Sequence, residues 1–140
     1  MIAKSSKLVV ARKGLVLLVR RRSDRLWTFP GGKRKRARES AKRCLLREIR
    51  EELPALRLGS ARLWRNIKGK NPISGKRMND AIFIVTNVAG MLVIGDEQEI
   101  DRAEWREPFR VRLTPTSRFI RDQLFASQKS ARRSATRSQR

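Results

Sequence analysis

One segment, from about Glu39 or Ser40 to Leu53, has the repeat of an amphipathic helix and constrains the fold more than any other feature. Its apolar side chains recur every four residues and share one face: Ala41, Leu45, Ile49 and Leu53. Cys44 lies beside this apolar face and is expected to be a small core residue. Pro54 ends the helix, because the residue before a proline is driven out of the α region.

The same helix carries three carboxylates at positions i, i+3 and i+4: Glu48, Glu51 and Glu52. This spacing brings them to one face, where like charges repel. Arg47 and Arg50 flank them, but a divalent cation compensates such a cluster more strongly. A solvated charged face is the ordinary alternative. Because the chain has only 13 acidic residues against 35 basic ones, the clustering favours a metal site.

The residue types that are missing restrict the possible chemistry. The sequence has no histidine, no tyrosine and one cysteine, Cys44. Serine–histidine and cysteine–histidine nucleophiles, histidine-ligated zinc and an internal disulfide are therefore excluded. Acid–base catalysis must use Asp, Glu, Lys or a metal-bound water, which favours oxygen-ligated metals such as Mg²⁺. The single cysteine also indicates a reducing, cytoplasmic location.

The charge distribution predicts a polyanionic partner. The net charge is +22, which attracts nucleic acids, nucleotides and other phosphorylated molecules. Ten of the 13 acidic residues nevertheless form two groups: Glu39, Glu48, Glu51 and Glu52, then Asp96, Glu97, Glu99, Asp101, Glu104 and Glu107. This pattern suits a metal beside a phosphate-binding surface. The longest apolar runs, Leu15–Val19 and Ala81–Val85, are too short to span a membrane.

Strand and helix patterns alternate along 140 residues, which suit a single domain of α+β or α/β class. Lys7–Ala11 and Leu15–Arg20 read as a hairpin closed at Lys13-Gly14, and Leu26–Phe29 as a short apolar segment ended by Pro30-Gly31-Gly32. Further strands are expected at Ala61–Lys68, Ala81–Val88 and Ala103–Trp105, and Met91–Ile94 is expected to be either a short strand or a turn-bounded segment. A second helix, capped by Thr114-Pro115, runs to about Ser127 with Phe119, Ile120 and Leu124 as its apolar stripe. Residues 1–127 are expected to form the domain and 128–140 a basic, disordered tail.

A family resemblance joins these features. The middle of the chain resembles the signature of the Nudix (MutT-like) hydrolases. It reads Trp27-Thr28-Phe29-Pro30-Gly31-Gly32, a basic loop (Lys33–Arg38), Glu39, seven residues and then R-E-I-R-E-E. That signature is a glycine, five residues, a glutamate, seven residues and R-E-U-x-E-E-x-G-U, where U is bulky and apolar. The matching positions keep the register: Glu39, Arg47, Glu48, Ile49, Glu51 and Glu52. The likeness spans roughly Lys7 to Phe125.

The sequence departs from this signature in three ways. Six residues separate Gly32 from Glu39, so the loop is longer by one. Arg38 replaces the glycine before the first glutamate. Pro54 and Ala55 replace the glycine and the bulky residue that follow the paired glutamates.

The resemblance implies an α/β/α sandwich, with a mixed sheet packed between helices, and a site for Mg²⁺ or Mn²⁺. The implied metal ligands are Glu48, Glu51, Glu52 and the carbonyl of Gly31. Glu52 or Glu48 would be the general base, with Glu99 a candidate for an extra ligand or base. Arg47 would orient the glutamates and Glu39 would support the loop. Substrate phosphates would meet Gly32, Lys33, Arg34 and Arg36.

Two functions follow as hypotheses. The first is a metal-dependent pyrophosphohydrolase that cleaves a nucleoside diphosphate linked to another moiety, or a related diphosphate. The alternative is a catalytically impaired Nudix-like module that binds nucleotides or nucleic acid, with the basic surface and tail supplying non-specific contacts to RNA or DNA.

Overall fold

The computed structural model describes residues 4–35 and 37–126. Within them lie two helices, α1 (Ala41–Glu52) and α2 (Pro115–Leu124). The strands follow in chain order: β1 (Ser5–Val9), β2 (Ala11–Arg12), β3 (Leu15–Arg21), β4 (Trp27–Thr28), β5 (Gly31–Lys33), β6 (Leu56–Leu58), β7 (Ala61–Lys70), β8 (Arg77–Val85), β9 (Val88–Gly90) and β10 (Ile100–Arg106). No helix in the described part of the chain is long and apolar enough to cross a membrane.

The strands form two larger sheets and one short pair. The first sheet is mixed and has the order β5-β1-β8-β7, with β1 parallel to β8 and the other pairs antiparallel. The second has the order β10-β3-β2, with β4 also paired to β3. β6 and β9 form a separate antiparallel pair. A mixed sheet with helices is the predicted α+β class.

Two apolar clusters lie on opposite faces of the central strands, because successive side chains of a strand alternate. Leu8 and Val10 pack in the cluster that contains Leu45 and Ile49 of α1. Val9, between them, packs in the other cluster, which contains Ile120 of α2. Both faces are therefore buried under helices, which gives the α/β/α sandwich. Burial on both sides also explains why Leu15–Val19 is a continuous apolar run rather than an alternating one.

Both predicted helices form, and Thr114 caps the second one as the sequence indicates. The Ser40 Oγ accepts a hydrogen bond from the Arg43 amide (3.1 Å) at the start of α1. The Thr114 Oγ1 accepts one from the Ser117 amide (3.3 Å) before α2. α2 ends at Leu124, so its predicted end near Ser127 is too late. Ser127 and the tail 128–140 lie outside the described residues.

Several predicted strand boundaries are wrong. The turn at Lys13-Gly14 is present, but it joins β2 to β3, and β1 ends at Val9 and pairs in the other sheet. Of the two possibilities for Met91–Ile94, the strand is wrong, because the segment is irregular. Val88–Gly90 pairs with Leu56–Leu58, a strand that the sequence pattern did not reveal. Gly31–Lys33, predicted as a breaker and loop, forms the edge strand β5.

Candidate active site

The two glycines of the Pro-Gly-Gly turn bring β5 close to both β1 and α1. Gly31 has a φ of +141°, and a Cβ there would overlap the carbonyl oxygen of Ser6 in β1. A Cβ on Gly32 would overlap the carboxylate of Glu48. Position 31 therefore requires glycine because of the backbone, whereas glycine at position 32 leaves room for the Glu48 carboxylate.

Arg47 of α1 binds the carboxylates of both Glu39 and Glu48. Its Nε and Nη2 donate to the two carboxylate oxygens of Glu39 (2.7 and 3.0 Å), and its Nη1 donates to Glu48 Oε1 (2.8 Å). Nη2 also donates to the carbonyl of Lys33 (3.0 Å). These bonds to Arg47 lower the pKa of Glu39 to about 2 and raise the pKa of Arg47. The guanidinium therefore fixes Glu48 and the start of the basic loop relative to α1.

Glu52 is the buried member of the cluster, with only 7% of its surface exposed. Burial raises its pKa to about 8, and Glu48 adds to the effect, whereas Lys7 and the Gly31 amide oppose it. Lys7 donates from Nζ to Thr28 Oγ1 (3.3 Å). Burial lowers the pKa of Lys7, against the attraction of Glu52 and Asp80.

One open cavity of about 510 Å³ collects the acidic groups. Its carboxylates come from α1 and from the segment before β10: Glu48, Glu51, Glu52, Asp96 and Glu99. Its cations come from β1, β3, β5 and the loop that follows β5: Lys7, Arg21, Lys33 and Lys35. A second cavity of about 440 Å³ shares Lys7, Arg21 and Lys33 and adds Lys76, Arg77 and Asp80, with Thr114 and Thr116 at the start of α2. Acidic and basic groups thus meet in one place, although the protein as a whole is strongly basic.

The structure brings together most of the residues that the sequence singled out. Gly31, Gly32 and Lys33 line the acidic cavity with Glu48, Glu51, Glu52 and Glu99. Arg47 and Glu39 contact Glu48 and each other beside it. Arg34 lines a different, smaller cavity. Arg36 lies outside the described residues.

Lys7, Asp80 and Gly95 are the residues of this region that sequence reasoning missed. Gly95 donates its amide to the Glu52 carbonyl (2.8 Å), and a Cβ there would overlap the Glu51 carbonyl oxygen. Its close approach to the end of α1 brings Asp96 and Glu99 to the cavity. The Gly-Asp pair at 95–96 is a turn signal that could have indicated this approach. Lys7 and Asp80 lie in strands and carry no motif of their own.

The donor set suits a hard divalent cation, because every acidic ligand offers oxygen. Within residues 4–35 and 37–126, no three Asp, Glu, His or Cys side chains already converge as a formed metal site. Two of the carboxylates are paired with cations of the protein: Arg47 contacts Glu48, and Glu51 lies 3.5 Å from Arg47 Nη1 and 3.6 Å from Lys35 Nζ. Positive side chains thus neutralise the carboxylates that a metal would otherwise neutralise.

The helix–sheet–helix sandwich places a carboxylate-lined cavity at the end of α1, an arrangement that suits an enzyme using a divalent metal. The NUDIX domain model matches residues 6–127, and the chain therefore belongs to the Nudix family of hydrolases, which act on phosphoanhydride bonds. Members of this family generally use a divalent metal and act on small phosphorylated substrates. A comparison with functionally curated protein sequences finds no match.

Solved structures agree with this assignment at the level of the fold. A MutT Nudix hydrolase from Burkholderia pseudomallei has a TM-score of 0.73 and 22% identity, covering 87% of this chain and 97% of that one. The ORF135 protein of E. coli has a TM-score of 0.67 and 25% identity, with 93% and 92% covered. The E. coli dihydroneopterin triphosphate pyrophosphohydrolase has a TM-score of 0.66 and 16% identity, with 89% and 95% covered.

Proposed function

We propose that the protein is a Mg²⁺- or Mn²⁺-dependent pyrophosphohydrolase that cleaves a nucleoside diphosphate linked to another moiety, or a closely related diphosphate. The observation that carries this proposal is the acidic cavity, where Glu48, Glu51 and Glu52 face Lys7 and Lys33. Carboxylates suit the metal and ammonium groups suit the phosphates, so a metal–diphosphate complex satisfies both sets of charges.

The metal would be held by Glu48, Glu51 and Glu52, with the carbonyl of Gly31 as a further ligand. When bound, the ion would supply positive charge beside the diphosphate and lower the pKa of an attacking water. Arg47 keeps Glu48 directed towards Gly32 through its 2.8 Å hydrogen bond, and Glu39 keeps Arg47 in place through two more. Glu39 and Arg47 thus act as positioning residues for the ligands.

Glu52 is the preferred general base, with Glu48 and Glu99 as alternatives. The burial that raises the pKa of Glu52 to about 8 makes its carboxylate a stronger base than an ordinary glutamate, which suits removal of a proton from water. The Arg47 guanidinium already occupies Oε1 of Glu48. Glu99 is exposed, but the Arg22 amide holds its carbonyl (2.9 Å), so its position at the cavity rim is fixed by β3.

The rest of the substrate would extend into the second cavity. Lys7, Arg21 and Lys33 line both cavities, so phosphate oxygens between the two would meet these cations. Beyond them lie the hydroxyls of Thr114 and Thr116 and the carboxylate of Asp80, which can accept or exchange hydrogen bonds with a polar group such as a sugar.

The departures from the family signature leave these contacts in place, which favours an enzyme over an impaired binding module. With one residue more in the loop, Glu39 still accepts from Arg47 and from the Lys35 amide (3.3 Å). With Pro54 in place of glycine, the last turn of α1 keeps its hydrogen bond, because the Leu53 amide donates to the Ile49 carbonyl (2.7 Å). The Gly95 amide satisfies the Glu52 carbonyl at this end.

The test is release of phosphate or of a nucleoside monophosphate from a panel of nucleoside diphosphate derivatives and nucleoside triphosphates, with Mg²⁺ and with EDTA. We expect turnover with Mg²⁺ only, and a fall in kcat of about 10²–10⁴-fold for Glu52→Gln, the range of general acid–base catalysis. Glu97→Gln is the matched control, because Glu97 lies in the second acidic group but does not line the cavity. Absence of turnover across the panel, or full activity in Glu52→Gln, would refute the proposal and favour the binding module.

A further inference from the structure

A third cavity, of about 110 Å³, lies on the sheet beside the acidic cavity. Its lining is formed by the edge of β1, the start of the basic loop and the β7–β8 ladder: Lys4, Ser5, Arg34, Asn66, Lys68, Asn79 and Ala81. Only Ser5 is shared with the acidic cavity. It is therefore a neighbouring site with its own set of side chains.

The charges that line this cavity are all positive. Lys4, Arg34 and Lys68 contribute cations, the two asparagines contribute carboxamides, and no carboxylate is among the lining residues. The acidic cavity next to it has five carboxylates. A ligand for the small cavity must therefore be an anion with several acceptor oxygens.

The Arg34 side chain also carries a buried donor that has no partner in the described part of the chain. Its Nε is buried, yet within the described residues it has no hydrogen-bond partner. A buried donor without an acceptor costs about 1–3 kcal/mol, and more for a charged group. The backbone at this point is fixed, because the Arg34 amide donates to the Lys4 carbonyl (2.7 Å). Because Nε is inaccessible, other atoms of Arg34 form its part of the cavity lining.

The walls around Arg34 belong to rigid elements. Asn66 pairs with Ala81, and Lys68 pairs with Asn79, across the β7–β8 ladder. This pairing fixes the backbone positions from which the lining side chains extend. The volume suits one tetrahedral anion rather than a nucleoside.

We propose that this cavity is a phosphate-binding site, in which the Arg34 guanidinium, the Lys4 and Lys68 ammonium groups and the two carboxamides receive one phosphate group. Arginine matches phosphate oxygens with a planar set of donors, which makes Arg34 the principal ligand. The group is either free inorganic phosphate or the phosphate of a phosphorylated metabolite.

The site is connected to the acidic cavity through the chain itself. Lys33, before Arg34, accepts from Arg47 Nη2 (3.0 Å) through its carbonyl. Lys35, after it, donates its amide to Glu39 (3.3 Å). A phosphate bound by Arg34 therefore anchors the segment that supports Arg47 and Glu39.

The experiment is an NMR titration of the arginine Nε–Hε resonances of the full chain, in EDTA, with inorganic phosphate in one arm and AMP in the other. We expect the Arg34 resonance to shift saturably with at least one of the two. Binding by inorganic phosphate alone assigns the site to the free ion, and tighter binding of AMP assigns it to an organic phosphate. Because no turnover is measured, the result does not depend on the proposed hydrolase activity.

Three variants complete the test, with binding followed by calorimetry. Arg34→Gln and Lys68→Gln should each weaken binding about tenfold or more. Arg38→Gln, which removes the same charge from an exposed position of the same loop, should change it less than twofold. An Arg34 resonance that does not respond to either ligand, or equal weakening in Arg34→Gln and Arg38→Gln, would overturn the proposal. Lys68→Gln lies on a different strand and decides the matter if Arg34→Gln fails to fold.

Discussion

Gly31 and Gly32 are adjacent, yet each excludes a side chain for a different reason. At Gly31 the obstacles are the φ of +141° and the backbone of Ser6, which cannot move without breaking the β1–β5 pairing. At Gly32 the obstacle is the end of the Glu48 side chain, which can rotate away. The first glycine therefore maintains the fold, and the second maintains the position of one carboxylate.

Alanine substitutions should separate these two roles. We expect Gly31→Ala to lower the free energy of unfolding by about 2 kcal/mol or more, because it adds strain at positive φ to a backbone overlap. Gly32→Ala should cost less than about 1 kcal/mol but reduce Mg²⁺-dependent turnover at least tenfold, because Glu48 is displaced. Urea unfolding and kinetics on the two variants measure the difference. Equal stability losses with unchanged turnover in Gly32→Ala would contradict it.

The buried carboxylate of Glu52 should make the metal-free protein less stable as the pH rises. The pKa of Glu52 is about 8 in the folded protein against an ordinary value of 4.5, so between these values the folded state holds a proton that the unfolded state has released. Its contribution to stability therefore falls with pH, by up to about 1.4 kcal/mol per pH unit. Urea unfolding in EDTA from pH 5 to pH 8 should show this slope in the wild type and lose it in Glu52→Gln.

The control for this measurement is Glu51→Gln, because the Glu51 side chain is 42% exposed. It should keep the slope of the wild type. Parallel curves for the wild type and Glu52→Gln would show that Glu52 is ionised in the folded protein. A bound cation favours the ionised carboxylate, so saturating Mg²⁺ should also flatten the slope.

The sequence was sufficient to indicate the acidic helix but not what surrounds it. Spacing within one helix fixes which side chains share a face, so Glu48, Glu51 and Glu52 could be grouped directly. Lys7 and Asp80 come from β1 and β8, which are far apart in sequence and meet only through parallel pairing. No local pattern encodes that contact, so neither residue could be assigned to the site in advance.

At the level of elements, α1 is the part that the sequence specifies most completely. Its apolar stripe, its start near Ser40 and its end before Pro54 all appear in the structure. The hairpin was harder, because β1 and β2 are separated by a single residue and read as one strand. The chain changes sheets at Val10, and only the pairing of β1 with β8 shows the change.

The cap of α1 should have a measurable effect. Ser40→Ala removes the acceptor of the Arg43 amide, which costs about 1 kcal/mol at an N-terminal cap. The variant Lys42→Ala, at an exposed position of the first turn, is the matched control and should be nearly neutral, because alanine favours the helix. Urea unfolding of both variants measures the difference. A loss below about 0.3 kcal/mol in Ser40→Ala would show that solvent replaces the cap.

At the level of the whole molecule, the distribution of charge matters more than its sum. Cations line all three cavities described above, whereas five of the 13 acidic residues line the single acidic one. Such a surface attracts phosphorylated molecules over a distance of about 10 Å at moderate salt. In the acidic cavity, the carboxylates would hold a metal ion, and that ion, rather than a further basic side chain, would bind the diphosphate.

Removal of residues 128–140 should separate attraction to polyanions from hydrolysis. These residues contribute five of the 35 basic residues and no acidic one, and the family match ends at residue 127. We expect the 1–127 protein to keep its melting temperature and turnover, and to lose affinity for a single-stranded RNA of about 20 nucleotides. Because each phosphate contact adds about 0.7 to the slope of log K against log salt, the loss of five cations should decrease the slope by up to about 3.5. Fluorescence anisotropy between 50 and 200 mM NaCl measures this slope, with a full-length control in which the five basic residues are changed to glutamine.

Equal slopes in all three proteins would place RNA binding on the folded domain, and loss of folding in the 1–127 protein would show that the domain extends into the tail.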